Sequence, residues 1–138
     1  VKFPDKEKEI LEQAKKDGFI PVIAPISSGN KDETLNINAD YVAGAIASAL
    51  KAEKLILLTD TQGILDKDKK LITTLNNTKI KSLISKGTIS GGMLPKVHAC
   101  QNALKGKVKK THVIDGRIPH ALLLEIFTNT GIGTEIIK

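Results

Sequence analysis

The 138-residue chain has one cysteine, Cys100, one arginine, Arg117, and no tryptophan. A single thiol excludes an internal disulfide and any cysteine cluster for zinc or an iron–sulfur centre. Within the helix-like run KVHACQNAL it reads as a small buried side chain. Aromatic residues make up only 3% of the chain, so there is no platform on which single-stranded bases could stack. No zinc-finger or RNA-recognition signature occurs. The net charge of +6 is spread over scattered lysines, densest at Lys105, Lys107, Lys109 and Lys110. It describes a solvated surface rather than a nucleic-acid interface, and it suits an anionic small ligand. Apolar runs such as LILL at Leu55–Leu58 are far too short to cross a membrane. The start, VKFPDKEKEI, is too charged for a signal peptide. The expectation is a soluble, cytoplasmic protein, or one of the plastid stroma after removal of a transit peptide.

Several catalytic signatures are also missing. No G-x-x-x-x-G-K-[ST] phosphate loop is present, and no G-x-G-x-x-G follows a strand. There is no G-x-S-x-G elbow. His98, His112 and His120 lack a metal-ligand spacing, and His98 and Cys100 are two apart on a helix, facing different sides.

What is there is one domain's worth of chain with 41% hydrophobic residues, enough to bury a core. Asp5–Lys16 patterns as a helix closed by Gly18. FIPVIAPI, Phe19–Ile26, reads as a buried strand interrupted by prolines, and Ser27–Glu33 as a polar turn. Ala39–Lys51 is a helix rich in alanine and glycine, and Lys54–Thr59 is a continuous apolar strand of the parallel-sheet type. Helices are predicted at Lys79–Lys86, Gly92–Lys105 and Pro119–Phe127, and strands at His112–Asp115 and Glu135–Ile137. Alternating strands and helices imply an α/β fold, a mainly parallel open sheet sandwiched by helices. Such sheets bind ligands beyond the C-terminal ends of their strands. The loops to inspect are therefore Ser27–Asn38, Asp60–Lys70 and Asp115–Pro119.

Polar residues cluster at those ends. Asp60 closes the best strand and Gly63 lets the chain turn. This is either an ordinary turn with aspartate as its former or a ligand site. Gly91 and Gly92 precede a helix that carries Lys96 near its start. Glycines there let backbone N–H groups approach an anion, and the lysine reaches the same phosphate or serves only the surface. In ETLNINADYVAGAIASAL, Asn38 is a natural N-cap and Asp40 complements the helix dipole, but capping leaves Asn36 unexplained.

TLNINADYVAGAIASALKAEKLILLTDTQGIL, GTISGGMLPKVHAC and HVIDGRIPHALLLEIFTNTGIGT together resemble the N-acetylglutamate kinases of the amino acid kinase family. The match runs from about Gly18 to Ile137. It implies ATP-dependent phosphorylation of the γ-carboxylate of N-acetyl-L-glutamate, in arginine biosynthesis, on an amino acid kinase-like αβα fold. By that resemblance Asn36 binds the acetylglutamate, Asp40 organises the catalytic lysines, and Lys96 stabilises the transferring phosphoryl group. Asp60, Thr61, Gln62, Gly63, Ile64 and Leu65, with Thr88, Ile89, Ser90 and Met93, match the segments around the adenine and ribose. Mg²⁺ is expected on the phosphates and water. His112, Glu125 and Gly131 match residues that hold inhibitory L-arginine in regulated members, where the PII signalling protein is a further partner and the enzyme is a homo-oligomer. The kinases are about twice as long. Their N-terminal half supplies a glycine-rich loop, a second lysine and a substrate arginine that have no counterpart here. The resemblance thus implies that residues 1–26 are the end of an N-terminal amino-acid-binding domain and 27–138 an ATP-binding C-terminal domain, inactive alone. Alternatives are an arginine- or PII-binding regulatory module of the same fold, or a related kinase with another substrate.

Overall fold

The computed structural model describes residues 3–29, 33–128 and 131–138. Helix α1 (Asp5–Lys16) carries Asp5 and Glu7 in its first turn and Lys15 and Lys16 in its last, both favourable to the helix dipole. None of its residues is buried.

The segment after it departs from expectation. Phe19–Ile26 is not a buried strand. Phe19, Ile20 and Val22 are 70%, 91% and 96% exposed, and only Ile26 enters a strand. That strand, β1 (Ile26–Ser28), pairs antiparallel with β2 (Thr34–Asn36) as a small separate ribbon. The physical reason is a lack of neighbours. Pro21 and Pro25 have no N–H to give a ladder, and an apolar strand is buried only where other strands and helices flank it. Among the described residues no strand pairs with 19–24. The turn expected over Ser27–Glu33 falls partly on residues 30–32, which lie outside the described residues.

The remaining elements form the core unit. These are α2 (Ala39–Ala49), β3 (Lys54–Thr59), β4 (Thr74–Leu75), α3 (Asn77–Ser85), α4 (Met93–Lys105), β5 (Lys110–Asp115), α5 (Ala121–Phe127) and β6 (Thr134–Ile136). Asn38 caps α2, its Oδ1 accepting from the N–H groups of Asp40 at 2.9 Å and Tyr41 at 3.4 Å. Asn76 caps α3 in the same way, accepting from the Lys79 N–H at 2.9 Å. The four-stranded sheet has the order β3-β5-β6-β4. β3 and β5 run parallel with Lys54 opposite Lys110 and Thr59 opposite Asp115, so both strands end together. β6 is antiparallel to β5 and parallel to β4.

Side chains alternate across these strands. Leu55 and Leu57 of β3 and Val113 of β5 join the apolar core with Ala47, Val97, Ala99, Cys100, Ala103 and Leu104 of α2 and α4. Full burial of one such aliphatic side chain contributes about 1.5–3 kcal/mol. Small residues let α2 and α4 approach closely, and a Cβ on Gly44 would lie 3.0 Å from the Ala99 carbonyl oxygen. Cys100 sits fully buried there, and burial pushes its thiol up to about 12 despite a hydrogen bond with Thr111. Lys54 and His112 alternate to the opposite face, where Glu125 of α5 meets both. The result is helix, sheet, helix. No helix among the described residues is long and apolar enough to cross a membrane.

Candidate functional site

Because α2 and α4 pack side by side, the first turn of one lies against the first turns of the other. Asp40 is the second residue of α2, and Lys96 the fourth of α4. The Lys96 ammonium donates to both Asp40 carboxylate oxygens, at 2.9 and 3.2 Å. The two side chains are 20% and 16% exposed. A charge pair at this depth is well shielded from water, so the carboxylate fixes where the ammonium stands. The free face of that ammonium borders a shallow concavity of about 410 Å³ with Leu58, Thr59, Asp60 and Arg117. This is the point where β3 and β5 end, as expected for ligand binding by a parallel pair.

The turn from β5 adds a second ion pair. Asp115 accepts from the backbone N–H of Arg117 at 3.0 Å, from its Nε at 2.9 Å and from its Nη2 at 2.7 Å. These bonds hold the Asp115 carboxyl down to about 2 and push the guanidinium above its ordinary value. Between them the Gly116 N–H donates to the Thr59 carbonyl at 2.8 Å, tying this turn to the end of β3.

The nucleotide segments expected from sequence are built unequally. Asp60 is exposed, with only a long 3.4 Å bond from the Thr59 hydroxyl. The Thr61 hydroxyl donates to the Gly63 carbonyl at 2.9 Å. Gly63 is required by its φ of +145°, and a Cβ there would meet Thr134 Oγ1 and Leu71 Cδ1 at 2.8 Å. Ile64 is 1% exposed and Ile89 is 2% exposed, so both side chains belong to the core and offer a ligand only their backbone. The Ile64 N–H itself is taken by Thr134 Oγ1 at 2.8 Å, and Leu65 bridges to Leu71. Thr88 is half-buried and donates its backbone N–H to the Leu83 carbonyl at 2.9 Å. Ser90 is exposed, its carbonyl accepting from the Met93 N–H at 3.2 Å. Met93 packs against the core. Asn36 ends the β1–β2 ribbon, exposed. Gln62 lines a different concavity.

That second concavity, of about 560 Å³, lies on the other face of the sheet and also contains Lys54, His112, Glu125 and Gly131. His112 Nδ1 lies 2.8 Å from Glu125 Oε1. The Ile132 N–H donates to Glu125 Oε2 at 2.9 Å, and Lys54 Nζ stands 3.6 Å from Oε1. Burial lowers the His112 pKa and outweighs the opposing pull of the Glu125 charge. The imidazole is therefore neutral, with its Nδ1–H given to Glu125 and a bare lone pair on Nε2. That Nε2 is buried and has no hydrogen-bond partner. Gly131 has φ +56°, and a Cβ there would come within 3.2 Å of Glu125 Oε2. The structure thus brings Lys96, Asp40 and Asp60 together, and separately His112, Glu125 and Gly131.

Sequence reasoning passed over Lys54, the Asp115–Arg117 fork and the Ile132 N–H. The D-x-R spacing at a strand end was a usable signal for the fork. Nothing local marks Lys54, which reaches Glu125 only because β3 lies beside β5.

Residues 3–115 match the amino acid kinase family. The chain belongs to the amino acid kinase family. Among curated members, it is 54% identical to the acetylglutamate kinase of Syntrophus aciditrophicus over 136 residues, covering 99% of this chain and 46% of that protein. It is 60% identical over 120 residues to the acetylglutamate kinase of Campylobacter fetus, covering 87% of this chain and 43% of that one. The chain thus spans a little under half the length of these relatives. Among solved structures, N-acetylglutamate synthase from Neisseria gonorrhoeae, complexed with coenzyme A and L-arginine, superposes with a TM-score of 0.86 at 30% identity. That superposition covers 94% of this chain and 30% of the synthase. A carbamate kinase from Giardia has a TM-score of 0.71 at 20% identity over 96% of this chain and 47% of its own, a likeness of fold. The family fold has the α/β character and mainly parallel sheet expected from sequence.

Proposed function

We propose that the complete protein is an acetylglutamate kinase, transferring the γ-phosphoryl group of ATP to the γ-carboxylate of N-acetyl-L-glutamate. Residues 27–138 are its ATP-binding domain and 1–26 the end of the amino-acid-binding domain. The observation that carries this reading is the Asp40–Lys96 pair at the ends of β3 and β5, in a chain more than half identical to acetylglutamate kinases. The unburied α1 and the exposed 19–24 segment support the division. The chain alone, lacking the counterpart of half of its relatives, has little or no turnover.

The chemistry asks little of acid–base groups. The acceptor carboxylate is already anionic near neutral pH, so the obstacle is the approach of two anions. Fixed cations that meet charge as it develops on the transferring phosphoryl group lower that barrier. Lys96 fills this role, held in place by Asp40, while Asn36 takes the acetylglutamate and residues 60–65 and 88–90, with Met93, take the nucleoside. When bound, Mg²⁺ neutralises phosphate charge. Among the described residues no three His, Cys, Asp or Glu side chains group closely enough to hold a metal ion. The ion is expected on the phosphates and water.

A second reading, regulation, has its own support. His112 and Glu125 line the second concavity, and the Glu125 carboxylate there suits a ligand rich in N–H donors. L-arginine, which the Neisseria synthase structure contains, fits that chemistry. Homo-oligomerisation and PII binding extend the regulatory reading and are checked by size-exclusion chromatography with and without PII. Calorimetry with MgATP, with N-acetyl-L-glutamate and with L-arginine, together with ADP release, tests the whole proposal. Arginine binding without nucleotide binding would leave a regulatory module. ADP release stimulated by another carboxylate, a carbamate or a nucleotide, but not by acetylglutamate, would reassign the substrate.

A further inference from the structure

We propose that Arg117 is a second phosphate-binding cation, working beside Lys96 at the ends of β3 and β5. The assignment rests on the ATP-binding reading above and adds a residue to it. A guanidinium carries five N–H donors. Asp115 takes two of them, on Nε and Nη2. The other three, two on Nη1 and one on Nη2, hydrogen-bond to nothing among the described residues. The Arg117 side chain is 64% exposed, whereas the carboxylate behind it is 6% exposed. An arginine that served only the surface would not need a buried carboxylate, its own backbone N–H and a bidentate fork to hold it. The two parallel N–H···O bonds of the fork fix the plane and direction of the guanidinium.

The orientation is towards the cleft. Gly116 fastens the turn to Thr59, and Arg117 lines the same shallow concavity as Lys96 and Asp60. Lys96 and Arg117 are therefore presented by one device, a carboxylate clamped behind each cation. Three carboxylates, Asp40, Asp60 and Asp115, accompany these two cations, so the cluster has no net positive charge to attract anions generally. Binding must come from directed N–H donors, for which a guanidinium fork and phosphate oxygens are well matched. Asp60 on the same rim repels a bare phosphate and accepts from hydroxyls such as those of a ribose. The ligand class is accordingly a nucleoside polyphosphate rather than inorganic phosphate.

The test uses the complete protein, with calorimetric titration of MgATP and of adenosine into wild type, Arg117→Gln and Arg117→Lys. Circular dichroism checks that each is folded. Arg117→Gln is expected to weaken MgATP about tenfold, the scale of one hydrogen bond to a charged group, and to leave adenosine binding unchanged. Arg117→Lys recovers part of the loss, as a point charge without the fork. Equal MgATP affinity in folded Arg117→Gln overturns the assignment. Equal losses for MgATP and adenosine also overturn it, by showing that the fork only shapes the turn. A wild-type protein that binds no MgATP sinks the ATP-binding reading itself, whatever the variants do.

Discussion

Asp40→Asn separates the capping role of the α2 N-terminus from its part in the cleft. The substitution keeps size and shape but removes the charge that holds Lys96. At the observed 2.9 Å, with an effective dielectric constant of about 20, the gross attraction is about 5–6 kcal/mol. Most of it is offset by desolvation of both ions, and removing one partner of a fully buried pair costs about 3–5 kcal/mol. Here the lysine is 20% exposed and its long stem lets the ammonium swing to water. The expected loss is therefore nearer about 2 kcal/mol. For a domain of this size that lowers the melting midpoint by roughly 6–10 °C. The helix survives, because its cap is the Asn38 side chain, which bonds the backbone of residues 40 and 41 whatever the side chain at 40. Turnover suffers more. With its position no longer fixed, Lys96 meets the phosphoryl group poorly, and misplacement by about 1 Å costs about a hundredfold in kcat. The assay is ADP release by the complete protein with ATP and N-acetyl-L-glutamate, alongside a far-UV melt of the same sample. Near-normal turnover in Asp40→Asn would refute the argument. So would a loss of helix signal at 25 °C, which would make residue 40 structural.

Two further outcomes follow from the geometry. His112 is held neutral by burial, so its folded pKa lies below the ordinary 6.5 of the unfolded chain. Between those two values the unfolded state binds the proton first, so this stabilisation is complete above 6.5 and drains away as pH falls below it. Urea midpoints at pH 7.5, 6.5 and 5.5 should fall more steeply in wild type than in His112→Asn, and parallel profiles would contradict the assignment. Gly133 has φ +91°, and a Cβ there would strike the Val113 carbonyl oxygen and approach Ile114 Cα to 2.9 Å. Both contacts are backbone, so Gly133→Ala should cost about 3 kcal/mol or more, read as a lower urea midpoint at an unchanged slope. A stability near wild type would show that β5 and β6 can part more easily than their packing implies.

Much of the local architecture was legible in the chain. The apolar run Lys54–Thr59 is β3 to the residue, although the strand lies at the sheet edge and its burial alternates, Leu55 and Leu57 entering the core while Leu58 is exposed. Asp5–Lys16 is α1 to the residue, because charge order and a following glycine mark helix ends locally. Asn38 was recognisable as a cap because capping depends on two backbone N–H groups close in sequence. Ile64 and Ile89 matched a nucleotide-binding pattern, and the same pattern could not tell that their side chains point into the core.

Tertiary structure decided what depends on neighbours across the sheet. The apolar composition of 19–24 promised burial, yet burial requires a covering layer, and none lies over it among the described residues. The two-residue β4 has no signature of its own and exists through its pairing with β6. The antiparallel sense of β6 comes from where the chain returns, not from its residues. The meeting of Asp40 with Lys96, across 56 positions, and of His112 with Glu125 and Lys54, is a product of helix packing and strand register. Periodicity and capping act over one or two turns of chain and leave their mark in sequence. Register and packing join residues that the chain itself keeps far apart.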